Sequence, residues 1–186
     1  MKLSLITAFI ISTFFSYAQI SSTKGLFAKE FSKEITLPLA KEFLVTEILK
    51  PAANELLEFE IDALTAATSG ELTSVFYNCS TKNTSGLIFA FYGNNITEGG
   101  VSYKSYSFKH FTKANGIELL KKIDDLIASN STLKSENGNI TFIYEDVTVI
   151  IYGSLVYKID VIWNGYNAQW EQASLRTTLR KLEKKD

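Results

Sequence analysis

Between residues 57 and 111 four strand-like segments follow one another with links too short to carry a chain across a sheet. Leu57, Phe59, Ile61 and Ala63 alternate with Glu58, Glu60 and Asp62, the period of a half-buried strand. A second segment runs over 72–78 and a third over 87–92, the latter so continuously apolar that cover on both faces is expected. The fourth spans 101–111. Turn-forming stretches separate them: Thr68-Ser69-Gly70-Glu71, then 80–86, then 93–100. A parallel pair needs a crossover of about a dozen residues or more, so these segments must form an antiparallel meander.

Downstream the pattern changes period. Ile117, Leu120, Ile123 and Ile127 recur at helical spacing, widened by Leu119 and Leu126, with Lys121, Lys122, Asp124 and Asp125 on the other side. Asn115 and Glu118 have the spacing of a capping box, and the helix should end near Ser129-Asn130. Three further strands are expected over 140–144, 147–152 and 155–163, with tight turns at Glu145-Asp146 and Gly153-Ser154. A last helix is expected over 168–184, with a Leu175, Leu179, Leu182 stripe and basic residues at its C-terminal end, where cations complement the helix dipole. The order is four strands, a helix, three strands, a helix. The fold class is therefore α+β: an antiparallel sheet of about seven strands packed against two amphipathic helices, in one domain over 26–186. The preceding segment 26–50 reads as mixed. Leu26, Phe27, Phe31 and Ile35 suit a short helix; Ile35, Leu37 and Leu39 alternate like a strand; Pro38 should interrupt any helix; and 40–49 suits a helix ending before Pro51.

The first 18 residues read as a cleavable secretory signal peptide. Lys2 gives a positive start, 3–15 is almost wholly apolar, and Ser16-Tyr17-Ala18 offers the small-x-small pattern before Gln19. The apolar run is shorter than the ~20 residues of a spanning helix, so no transmembrane span is expected in the mature chain; an uncleaved N-terminal anchor is the alternative. The mature protein would be periplasmic or extracellular, with 19–25 as a flexible start. Cleavage removes Lys2 and no acidic residue, taking the formal charge from −1 to −2, which argues against nucleic acid or another polyanion as partner. Cys79 is the single cysteine, so no internal disulfide can staple the exported fold, and cysteine-based zinc sites are excluded. Asn-x-Ser/Thr triplets begin at Asn78, Asn83, Asn95, Asn130 and Asn139, at a frequency this Asn- and Thr-rich chain produces by composition.

The usual catalytic constellations are missing. Cys79 and His110 form the one thiol–imidazole pairing available, yet Cys79 has neither an orienting acid nor a helix N-terminus in sequence reach. A single histidine excludes histidine-rich metal sites, and no Gly-x-Ser-x-Gly turn or phosphate loop occurs. Glu58, Glu60 and Asp62 share a strand face and could serve calcium or glycoside chemistry, but alternation predicts the same residues on a solvated face. No cofactor is implied.

The suggestive feature is aromatic. Phe76, Tyr77, Phe89, Phe91, Tyr92, Tyr103, Tyr106 and Phe108 fall on consecutive strands and on both parities. With both faces covered they are a core, and 26–50 could be the second cover. With one face open they make a tyrosine-edged surface suited to a protein, a lipid or a glycan, with Tyr77, Tyr92, Tyr103 and Tyr106 as the candidate binding residues. The expectation is an exported, non-catalytic binding or accessory protein of the cell envelope or extracellular space. A small secreted hydrolase using Glu58 and Glu60, and a periplasmic inhibitor or immunity protein, are the alternatives.

Overall fold

The structure is a computed structural model, and it describes residues 25–96, 100–135, 137–153 and 156–185. The expected signal peptide over 1–18 and the expected flexible start, apart from Gly25, lie outside the described residues. Within them the chain forms three α-helices and two antiparallel sheets of four strands each, so it is α+β.

The first sheet holds β1 (Phe59–Ala66), β2 (Leu72–Cys79), β3 (Thr84–Ile96) and β4 (Ser102–Thr112), paired in sequence order as the short links require. The second holds β5 (Asn139–Tyr144), β6 (Val147–Tyr152), β7 (Lys158–Trp163) and β8 (Tyr166–Glu171), again in order. The expectation of one sheet with about seven strands is therefore corrected to two sheets and eight strands. The extra strand is β8, whose residues from Ala168 onward fall in the stretch expected to open the last helix. Asn164 and Gly165 both take positive φ (48° and 79°), the backbone of a two-residue hairpin turn with a Gly at its second position. The chain thus reverses after β7 and pairs once more before helix α3 starts at Gln172 (Gln172–Glu183).

Helix α2 (Lys113–Ser129) ends where its pattern runs out but starts earlier than expected. Thr112, not Asn115, is its cap: the Thr112 hydroxyl accepts from the Asn115 backbone N–H at 3.2 Å. The Asn115 side chain instead donates to Glu145 (2.9 Å), and Glu118 accepts from the Tyr144 hydroxyl. A Thr at the end of an extended strand already has the non-helical backbone a cap needs, so it takes the role first.

The largest correction lies at the N-terminal end. Residues 25–43 are one continuous helix, α1, which passes through Pro38 and widens into a π-helical turn at Leu44–Leu49. Lys50 closes that turn in the left-handed region, its N–H bonding to Val45 O five residues back. Proline in a helix interior costs about 3 kcal/mol. Here burial outweighs it: Ala40, Leu44 and Leu49 are buried with Val75, Tyr77, Cys79 and Ile88 on one face of the first sheet. Pro38 itself is exposed, where the carbonyl it leaves free can take water.

Parity then sorts the first sheet. Val75, Tyr77 and Ile88 face α1; Leu72, Phe76, Leu87, Phe89, Phe91 and Phe111 face a core shared with α2, α3 and the inner side of the second sheet. Phe89 sits edge-on to Phe111 (5.4 Å) and to Trp170 (5.3 Å), joining the two sheets. Between the first sheet and α3 the hydroxyls of Thr65, Ser74 and Thr178 satisfy one another at 2.8 Å, so the polar groups buried there are not left unpaired.

Candidate functional site

The site lies between α1 and the paired strands β3 and β4. Tyr92 and Tyr106 are partners across β3 and β4, on the face that carries α1. Their rings lie 4.8 Å apart; Tyr106 stacks on Phe108 (6.2 Å, 11°), and Phe108 stacks on Phe43 of α1 (5.2 Å, 22°). A ladder of rings therefore runs from the packed end of α1 to open surface. Phe31 and Ile35 of α1 stand opposite Tyr92 and Tyr106 across a groove of about 330 Å³, closed at one end by the Ser69-Gly70 turn. Gly70 has φ +77°, and a Cβ there would lie 2.9 Å from the Ser32 hydroxyl, so both the turn and its approach to α1 call for glycine.

Past Tyr92 the groove opens into a second hollow of about 340 Å³ with polar walls: Glu71, Asn94, Lys104 and Asn167. The Lys104 ammonium lies 5.7 Å from the centre of the Tyr92 ring, and the Glu71 carboxylate accepts from the Gln169 backbone N–H at 3.2 Å.

α1 also carries apolar side chains on its outer side. Leu26 (63% exposed), Phe27 (71%), Phe31 (64%) and Ile35 (40%) lie in solvent with Glu30 and Glu34 among them. Side chains three and four residues apart share a helix face, so Phe27, Phe31 and Ile35 form a stripe that leads into the groove. The sequence shows these residues plainly. It does not show that they point outward, because the inward face is drawn from the next set round: Thr36, Ala40 and Leu44.

Of the four tyrosines singled out from the sequence, Tyr92 and Tyr106 line the groove together. Tyr103 is 45% exposed but has the opposite parity on β4, so it stands on the other side of the sheet. Tyr77 is fully buried beneath α1, its hydroxyl 2.9 Å from His110 Nε2. Burial pushes the Tyr77 phenol above its ordinary pKa. The other aromatics divide the same way: Phe76, Phe89 and Phe91 are core, and Phe108 is half-buried within the ladder.

The residues weighed for catalysis are placed elsewhere. His110 takes Tyr77 as its hydrogen-bond partner; Cys79 is buried on β2, with β3 between the two strands. Glu58, Glu60 and Asp62 are exposed on the edge strand and its approach, and Asp62 pairs with Lys185 at 3.1 Å. Among the described residues no three His, Cys, Asp or Glu side chains gather as metal ligands, and no helix is long and apolar enough to cross a membrane.

The Tyr77–His110 pair gives a pH prediction. Burial lowers the His110 pKa, and the charge of Lys109 lowers it further, against a smaller opposing pull from Glu145. The folded state therefore prefers neutral His110. That stability is fully present above the unfolded value of about 6.5 and is lost as pH falls from there through the folded value. Urea titrations at pH 7.5 and at pH 5.5 should show the wild type weakening at the lower pH and His110→Gln changing less; parallel losses in both proteins would contradict the assignment.

The chain shows no match to known protein families, to characterised proteins or to solved structures.

Proposed function

We propose that the chain is an exported, non-catalytic binding protein of the cell envelope or extracellular space, which recognises an apolar segment of a partner polypeptide through the outer face of α1 and the groove beside it. The observation that carries this reading is the stripe Leu26, Phe27, Phe31 and Ile35, each 40% exposed or more, leading without a break to Tyr92 and Tyr106. Four such side chains leave on the order of 400–500 Å² of apolar surface in water, the size of the largest patch on a typical monomer, which is often functional. Glu30, paired with Lys33, and Glu34 stand within the stripe and favour a polypeptide over the acyl region of a bilayer, where both carboxylates would be desolvated. The same two carboxylates favour a partner segment that carries basic side chains beside its apolar anchors. The signal-peptide pattern over 1–18 supports export.

A labelled amphipathic peptide of leucine and lysine, and its leucine–glutamate counterpart, test the reading by fluorescence anisotropy. The lysine peptide is expected to bind and the glutamate peptide to bind at least tenfold more weakly, about 1.4 kcal/mol. Phe31→Ser should weaken the lysine peptide by a further order of magnitude, since an aromatic anchor at the centre of a patch dominates its energy. Equal binding of the two peptides, indifference to Phe31→Ser, or binding only to phosphatidylcholine vesicles would each overturn it.

A further inference from the structure

A second concave site lies on the opposite flank of α1, where that helix and α3 meet over the free edge of β1. The cleft has a volume of about 260 Å³. Lys29 and Lys33 enter it from α1 and Lys181 from α3, against walls that include Thr65, Ser174 and Thr177. The Lys29 ammonium donates to the Ser174 hydroxyl at 2.9 Å, and Lys181 donates to Leu64 O at 2.7 Å. Lys181 is held by an uncharged oxygen, and Lys29 by the Ser174 hydroxyl together with an ion pair to Glu171 at 3.8 Å. Lys33 pairs with Glu30 at 2.7 Å, but the Glu30 side chain is 64% exposed and can leave toward solvent, while that of Lys33 is only 20% exposed. Each ammonium has three N–H donors, and none has all three taken by these partners.

The charge balance is the second argument. The lining carries three lysines and the Glu30 carboxylate, and with Glu171 beside Lys29 the balance is +1, in a chain whose formal net charge is −1. Like charges brought together on two separately folded helices repel, and a shared anion removes that cost. The first turn of α3 adds to the field, since Ala173 and Ser174 sit where backbone N–H groups point outward from the helix. The ammoniums fixed by Ser174 and Leu64 have little freedom to lose on binding.

The geometry points to a binding site for a small oxyanion of the phosphate type, with Lys29, Lys33 and Lys181 as its cationic contacts. Free phosphate and a phosphate monoester share this chemistry, and the room in the cleft admits either.

Calorimetric titration of the full chain with inorganic phosphate and with glycerol 3-phosphate, at constant ionic strength in chloride, tests the assignment. Saturable binding with Kd of about 1 mM or tighter is expected for at least one of them. Tighter binding of the ester would identify the monoester as ligand, and equal affinities the free anion. Lys33→Gln is the diagnostic variant, because the one carboxylate it holds is exposed and nothing in the fold hangs on it; it should weaken binding about tenfold. Glu30→Gln should act in the opposite sense and tighten binding about threefold, an effect that loss of structure cannot mimic. Absence of saturation with both probes, or Lys33→Gln and Glu30→Gln both binding as the wild type, would overturn the site. The peptide reading of the outer face stands or falls separately, since Glu30→Gln should weaken the lysine peptide while it strengthens phosphate.

Discussion

Trp170→Ala should be the most damaging single truncation in the protein, costing about 3–5 kcal/mol and lowering Tm by roughly 10 °C or more. Trp170 heads the largest fully buried side chains and is 1% exposed. It lies on β8 opposite Ile159 and packs edge-on against Phe89 of the first sheet. Its removal leaves a void between two sheets that are each tied by their own ladder, so neither can collapse inward to fill it. Trp170→Phe gives the informative contrast. The indole N–H is buried with no hydrogen-bond partner among the described residues. An unpaired buried donor costs about 1–3 kcal/mol, so deleting it with the ring should recover much of what the smaller phenyl loses. Trp170→Phe is therefore expected within about 1 kcal/mol of the wild type in urea titrations. A loss as large as that of Trp170→Ala would mean that ring volume alone sets the cost.

The place of Trp170 also shows where the sequence was legible. Strand period and link length specify the meander β1 to β4, because short links admit no other pairing and alternation assigns the faces. The stripe of α2 is equally plain: Leu119, Leu120, Ile123 and Ile127 are buried, and Ile117 and Leu126 pack half-buried beside them. The stretch 164–171 is ambiguous in the sequence. Tyr166, Ala168 and Trp170 are buried at period two, but Ala168 and Leu175 also fit a helix, and the short run cannot decide between them. The Asn164-Gly165 turn was the deciding signal. α1 failed for a different reason. Pro38 is locally unfavourable to a helix, and only contacts with Tyr77 and Ile88, distant in sequence, outweigh it. The candidate groove was half legible. Tyr92 and Tyr106 announce themselves as adjacent aromatics on paired strands, but Phe31 and Ile35 become part of the site only once the orientation of α1 is known.

Gly86→Ala should detach the recognition surface before it unfolds the rest. Gly86 lies between Tyr77 on β2 and Thr112 on β4. A Cβ there would stand 2.6 Å from Phe111 O, 2.6 Å from the Tyr77 ring and 2.8 Å from His110 Nε2. The Phe111 oxygen belongs to the sheet backbone, so the methyl must shift the β3–β4 ladder at this point as well as displace the tyrosine and the imidazole. Overpacking of this kind costs about 1–3 kcal/mol. The cost falls on the face that carries α1, because Tyr77 is part of the cluster on which Ala40 and Leu44 rest. No side chain of the core on the other face, from Phe89 to Trp170, is among the nearest contacts of the methyl. Hydrogen exchange should therefore rise in 25–49 with little change in β6 and β7, and affinity for the lysine peptide should fall because Phe31 and Ile35 no longer face Tyr92 and Tyr106. Uniform loss of protection across both sheets would mean that α1 and the core unfold as one unit. Unchanged exchange in α1 would mean that the Tyr77–His110 pair does not hold it in place.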